Sequence, residues 1–348
     1  MTSTRDPSLP TAYSDGLDRL SLTPLWTALH ALLPHERATQ ATPHCWRWAE
    51  VRGPLLEAAR LVPMEQAERR VLVLRNPGLG GAYAATATLF AGMQIILPGE
   101  TAPSHHHTPA ALRLVVEGHG AFTTVDGVRC EMEPGDLIIT PPMRWHDHGH
   151  EGTEPVIWLD ALDLPLVRSL DAAWASKMRP AATPTTAIDS SQDEFTAAGL
   201  VPRASRYEDT GYPQVRWPWR TVRAALQAMA TEAPASRPVV LRYVNPRTGG
   251  FPLRTMGCEA QWLRPGESTS AERRTGSGIF HVIEGRGESR IGDETLRWEQ
   301  GDCIAAPPWH WIQHRNLSAS EPTCLFQVSD EPAPVSYTHL TLPTICSV

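Results

Sequence analysis

The chain has 348 residues, 41% hydrophobic and 20% charged, a length and balance that suit about two globular domains with ample core. A formal net charge of −7 argues against nucleic acid as the main partner, and no apolar run reaches the roughly 18–20 residues that a membrane span needs. The six cysteines lack Cys-x-x-Cys spacing, and the opening MTSTRDPSLPTAYSDG has no secretory signal pattern, so reduced thiols in a cytoplasm are expected.

Residues 1–67 read as a helical arm. Thr23 and Pro24 suit an N-cap and a first helical position; Leu25, Leu29, Leu32 and Leu33 then form one stripe, and Pro34 stops it. A second helix is expected from Pro54 to Leu61, and Trp26, Trp46 and Trp48 are read as packing the arm on a barrel. From Glu68 the pattern turns to short β segments. Arg70 to Leu74 leads into an Asn-Pro-Gly turn, Gln94 to Leu97 precedes Pro98-Gly99, and Val156 to Leu159 closes a first β unit spanning 68–167. Residues 168–236 form a Pro/Ala/Thr/Ser-rich bridge that includes AATPTTAIDSSQDE. The bridge also carries a helix after Thr221, with Val222, Leu226 and Met229 on one face.

The chemistry concentrates between Ser104 and His148. Strand alternation puts His105 and His107 on one side and His106 on the other, and it puts His146 and His148 on a shared face. Two histidines of one face with a third from a nearby strand gather ligands inside a small barrel. Neutral imidazoles of this kind suit iron, zinc, copper or nickel. A carboxylate ligand a few residues after His-x-His is absent, since Ala110, Ala111 and Leu112 stand there.

The His-x-His pair, the Pro-Gly-Asp turn and His146 after Pro141 resemble the two cupin motifs. LPGETAPSHHHTPAALRLVVEG, PGDLIITPPMRWHDHG and VIWLDALDLPLV resemble gentisate 1,2-dioxygenase and its relatives acting on salicylate or 1-hydroxy-2-naphthoate, a likeness running from about Leu22 to about Val328. The resemblance implies an Fe(II) centre on His105, His107 and His146 that opens gentisate with O2 to maleylpyruvate. Salicylate and 1-hydroxy-2-naphthoate are the alternative substrates, and a non-catalytic bicupin binding protein is a further alternative. Arg113, on the parity of His107, is expected to hold the substrate carboxylate. His148 suits a hydrogen bond to the carboxylate or hydroxyl, and Asp160 could orient a histidine or accept a phenol proton. Arg69 matches a family arginine near the substrate. The resemblance also implies a homotetramer, with the N-terminal arm aiding assembly.

The first half then repeats. LRPGESTSAERRTGSGIFHVIEGRG aligns with ILPGETAPSHHHTPAALRLVVEGHG, and QGDCIAAPPWHWIQH aligns with PGDLIITPPMRWHDH. The expected fold is therefore mainly β, a bicupin of two jelly-roll barrels with a helical arm and a helical bridge. In the second barrel, 237–330, Glu272, Arg274 and Ile312 stand where the first has His105, His107 and His146. A second site from Glu272, His310 and His314 is conceivable, but Arg274 would pair with Glu272, so this barrel is expected to be metal-free and structural. A binding or storage bicupin would not need a complete ligand set in one barrel, and a zinc or manganese isomerase would be expected to retain a carboxylate ligand. The tail 336–348, SYTHLTLPTICSV, breaks the pattern and is read as non-native.

Overall fold

The computed structural model describes residues 8–33, 35, 39–177, 184–189, 195, 211–234 and 239–334. Most of AATPTTAIDSSQDE and the whole 336–348 tail lie outside the described residues. Residues up to Thr39 form one unit and the remainder another. The first unit holds helices Thr11–Arg19 and Leu25–Leu32. Pro24, not Thr23, occupies the cap position, and the Thr27 hydroxyl donates to its carbonyl at 2.8 Å. Trp26 is exposed there. No helix among the described residues is long and apolar enough to cross a membrane.

The second unit is a pair of jelly-roll barrels, antiparallel but for Ala187–Ile188, which pairs in parallel with Val128–Met132. In the first, one sheet runs in the order Arg216–Trp217, Leu137–Thr140, Ala111–Glu117, Val156–Leu162, Phe90–Ile96, Arg70–Val73. The other holds Ala175–Lys177, Thr101–His107, His146–His150, Ala121–Val125, Val128–Met132 and Ala187–Ile188. The second barrel pairs His44–Trp46, Cys303–Ala306, Gly278–Glu284, Thr323–Ser329, Gly257–Leu263 and Val239–Arg242 with a smaller sheet of Glu272–Arg273, Trp311–Asn316, Arg286–Ile291 and Glu294–Glu299. Inner strands such as Val156–Leu162 are buried on both faces and so read as continuous apolar runs. On their outer side the helix Trp48–Leu61 inserts Leu55, which is 0% exposed, into the cluster of Ile95 and Met93.

The barrels exchange edge strands. His44–Trp46, from the segment read as a helical arm, pairs with Cys303–Ala306 of the second barrel, while Arg216–Trp217, from the bridge, pairs with Leu137–Thr140 of the first. Each exchanged strand leads into a helix, Trp48–Leu61 or Trp219–Glu232, whose first amide is held by the turn it reaches. Trp48 N donates to Asp302 Oδ1 at 2.7 Å, and Trp219 N donates to Asp136 Oδ1 at 2.8 Å. The preceding glycines leave room for the two indoles: a Cβ on Gly135 would lie 2.4 Å from Trp219 Cγ, and one on Gly301 2.5 Å from Trp48 Cγ. Both glycines also have positive φ, 86° and 90°. The repeat thus extends upstream, matching Cys45-Trp46-Arg47-Trp48 with Arg216-Trp217-Pro218-Trp219. The helix expected at Pro54 begins at Trp48 because Asp302, distant in sequence, supplies its N-terminal acceptor.

A reciprocal clasp ties the barrels near their mouths. Asp163 accepts from Ala110 N at 2.8 Å and from the Thr255 hydroxyl at 2.5 Å. Asp330 accepts from Ser277 N at 2.7 Å and from the Thr88 hydroxyl. Each aspartate therefore binds one residue of its own barrel and one of the other, Asp330 taking the Ser277 hydroxyl as well as its amide.

Candidate metal centre

His105 stands opposite His146 in the antiparallel pairing of Thr101–His107 with His146–His150, after a bulge between Ala102 and His105. His107 lies on the same side two residues on. The three rings meet with centroids 4.1 to 5.2 Å apart, and their ligand nitrogens all lie within 4.8 Å of one another. His106 points the other way, stacked on Trp145 at 4.0 Å and 9°.

The donor set fits a divalent transition metal. His107 Nδ1 contacts the Pro109 carbonyl at 2.7 Å, and His146 Nδ1 contacts the Arg144 carbonyl at 2.9 Å. A carbonyl only accepts, so both rings carry hydrogen on Nδ1 and keep a lone pair on Nε2. His146 Nε2 is buried without a protein partner. At His105 the Arg69 guanidinium lies against Nδ1 and also donates to the Pro103 carbonyl at 2.8 Å. For His105 to ligate through Nε2 its Nδ1 must carry a hydrogen, and Arg69 must then leave that nitrogen. Burial, reinforced by Arg69 and Arg113, holds His105 down to about 2 and His107 to about 4, and it lowers His146 and His148 well below the usual range. All four are neutral, as ligation requires.

The remaining expected residues converge on the same lumen. Arg113, 4% exposed, donates to the Thr140 hydroxyl and lies 3.5 Å from Asp160 Oδ1 through its Nε. Asp160 also accepts from Trp158 Nε1 at 3.1 Å. Burial pushes the Asp160 carboxyl up to about 6, against the pull of Arg113, Trp158 and Arg69. Burial pushes Arg69 down to about 10, with Arg113 adding to the effect. Asp160 thus pairs with Arg113 and not with a histidine. His148, 0% exposed, meets the Thr123 hydroxyl at Nδ1 and leaves Nε2 buried and without a partner. Two guanidiniums, neutral imidazoles and one partly neutral carboxyl give this lumen a positive bias in a chain of net charge −7. Thr140, Trp158 and Thr123 escaped the sequence reading. Parity alone offered a signal for Trp158, two residues before Asp160.

In the second barrel Arg274 pairs with Glu272 at 3.0 Å and approaches Glu259 at 3.5 Å. Phe280 and Gln327 occupy the cross-strand register held by Arg113 and Asp160 in the first barrel. The second barrel has therefore lost the arginine–aspartate pair as well as the three histidines.

The Cupin domain model matches residues 92–162 and 261–328, one stretch in each barrel. A gentisate 1,2-dioxygenase of Ralstonia sp is 43% identical over 93% of this chain and 91% of its own length. A 5-aminosalicylate 1,2-dioxygenase of Comamonas sp is 36% identical over 92% and 86%. Among solved structures, salicylate 1,2-dioxygenase from Pseudoaminobacter salicylatoxidans, with gentisate, superposes with a TM-score of 0.89 at 31% identity, covering 100% of this chain and 96% of that one. With its duplicated barrels, its three-histidine group and this likeness over nearly its full length, the chain belongs to the gentisate 1,2-dioxygenase family of bicupin oxidoreductases.

Proposed function

We propose that this protein is an Fe(II)-dependent dioxygenase that opens the ring of gentisate with O2 to give maleylpyruvate. The observation that carries the reading is the lumen itself, with the neutral imidazoles of His105, His107 and His146 gathered beside the buried, tethered guanidinium of Arg113. His105, His107 and His146 would hold the iron. Bound there, iron(II) supplies the one-electron chemistry through which dioxygen reacts with an electron-rich ring. Because the ligands carry no charge, the metal site keeps its full double charge and favours an anionic substrate that offers a carboxylate and an adjacent hydroxyl.

The protein's own groups orient that substrate. Arg113, braced by Thr140 and Asp160, binds the carboxylate through charge-assisted hydrogen bonds. His148 Nε2 faces the hydroxyl. Asp160 serves through Arg113, and its carboxyl, pushed up to about 6 by burial, holds the proton of the second, para hydroxyl that distinguishes gentisate. Arg69, once turned from His105, adds a second guanidinium on the substrate side. The second barrel is read as metal-free, the assembly as a homotetramer and the location as cytoplasmic.

The test joins metal analysis to oxygen uptake. One iron per chain is expected, with kcat/KM for gentisate above that for salicylate or 1-hydroxy-2-naphthoate. His146→Ala should lose both the iron and the oxygen uptake, whereas His314→Ala should keep the iron. A faster reaction with either competing acid would overturn the substrate and leave the dioxygenase reading standing. An active, iron-loaded His146→Ala protein would overturn the metal assignment.

A further inference from the structure

Thr123 joins His148, one of the seven site residues, to Met132, which has no part in the site described above. It stands directly across from His148 in the sheet; its hydroxyl lies 2.9 Å from His148 Nδ1 and reaches Met132 Sδ at 3.4 Å. All three residues are 0% exposed. The hydroxyl has a single hydrogen. Given to His148, it forces the imidazole hydrogen onto Nε2. Given to Met132, it lets His148 donate from Nδ1 and leaves Nε2 with a lone pair. The second arrangement forms two hydrogen bonds among these atoms where the first forms one.

The second barrel holds the matching trio with one change. Ser289 stands across from His314 as Thr123 does from His148. Trp298, four residues before Asp302, takes the place of Met132, four before Asp136. Its indole N–H donates to Ser289 Oγ at 2.8 Å, and Ser289 lies 2.7 Å from His314 Nδ1. An indole nitrogen can only donate, so it fills an acceptor site of the serine and leaves the serine hydrogen for His314. The relay in the second barrel can therefore run toward the histidine, the serine hydrogen having no acceptor on the indole. In the first, the side chain at the same place accepts, and the relay can run away from it.

We propose that Thr123 and Met132 hold His148 as the Nδ1–H tautomer, so that Nε2 presents a lone pair to the lumen and accepts a hydrogen bond from a hydroxyl of the aromatic acid. Thr123 is a positioning residue that acts through His148. The role toward a hydroxyl rests on the function proposed above; the tautomer does not.

Neutron diffraction from deuterium-exchanged crystals of the zinc-loaded full chain reads the hydrogen directly. A deuteron on His148 Nδ1 and none on Nε2 is expected. Met132→Leu conserves volume, removes the acceptor and should move the deuteron to Nε2. Thr123→Ser should keep it on Nδ1. A deuteron on Nε2 in the unaltered protein, or on Nδ1 in Met132→Leu, overturns the proposal. Calorimetry with gentisate on the zinc-loaded protein is the second arm. Thr123→Ser should bind within about twofold of the unaltered protein, and Thr123→Val and Met132→Leu should bind about three- to tenfold more weakly, the range of one hydrogen bond. Unchanged binding in both of the latter variants overturns the hydroxyl role. Failure of the unaltered protein to bind gentisate counts against the proposed function, while the diffraction result still decides the tautomer.

Discussion

Arg113, proposed above to bind the substrate carboxylate, shows how much of a buried cation's behaviour lies in its supports. At 4% exposure the guanidinium is costly to bury, and Asp160 and the Thr140 hydroxyl offset part of that cost. Arg113→Ala should therefore raise KM for every 2-hydroxy acid by at least about tenfold, the order expected for a lost charge-assisted pair. Thr140→Val should raise KM about threefold while leaving iron content unchanged, since it frees the guanidinium without touching a ligand. Asp160→Ala should reduce kcat/KM for gentisate more than for salicylate, because only gentisate brings the para hydroxyl. Steady-state oxygen uptake checks all three variants. Equal losses on both acids with Asp160→Ala would confine Asp160 to bracing Arg113. Strand alternation was enough to place His105, His107, His146, His148 and Arg113 on one lumen. It could not show that Thr140 holds Arg113, because that contact crosses between strands whose pairing is not written locally, and the shared parity of Trp158 and Asp160 does not show that the indole reaches the carboxylate.

At the level of elements, the two Gly-Asp turns perform the same task with different stakes. Asp136 accepts from Trp219 N and from Arg216, with side-chain exposures of 2% and 5% for the ion pair. Asp302 accepts from Trp48 N and from Arg47, but Arg47 is 39% exposed. Asp136→Ala strands a buried guanidinium whose remaining ion pair among the described residues is with Asp189, and should cost about 3 kcal/mol. Asp302→Ala loses a helix-end acceptor and a solvent-screened pair, for about 1–2 kcal/mol. Urea denaturation of the metal-free protein tests the order; an Asp302→Ala loss as large as that of Asp136→Ala would contradict it. The motif Pro-Gly-Asp was visible as a turn. Its role in catching a helix from the exchanged segment was not, since a turn signal says nothing about what packs on it.

For the whole molecule, the buried histidines set the response to acid. His105, His107, His146, His148, His281 and His314 all have affinities for protons lowered chiefly by burial, to about 4 for His107, His281 and His314 and about 2 for His105. Unfolding releases them to an ordinary value near 6.5. Below that pH the unfolded chain binds protons that the folded one refuses, so stability present above about 6.5 falls steadily as pH drops toward 4. Asp160, raised to about 6, and Asp136, Asp163 and Asp330, also raised by burial, act in the opposite sense, losing stability as pH rises above about 4, but these four carboxyls do not offset the six histidines. The denaturation midpoint of the metal-free protein should accordingly fall between pH 7 and pH 5, and fall less in His281→Phe; a flat profile would refute the account. The sequence by itself determined the duplicated β architecture, the three-histidine set and the loss of that set from the second half, because residue type and period-two spacing are local properties that a repeat makes legible twice. Only the tertiary structure decided that the barrels exchange edge strands, that the helix starts at Trp48, and that Arg113 rests on Thr140 and His148 on Thr123. Those outcomes depend on which distant strand pairs with which and in what register, and the free energy of that choice is spread over the whole interface between segments far apart in the chain.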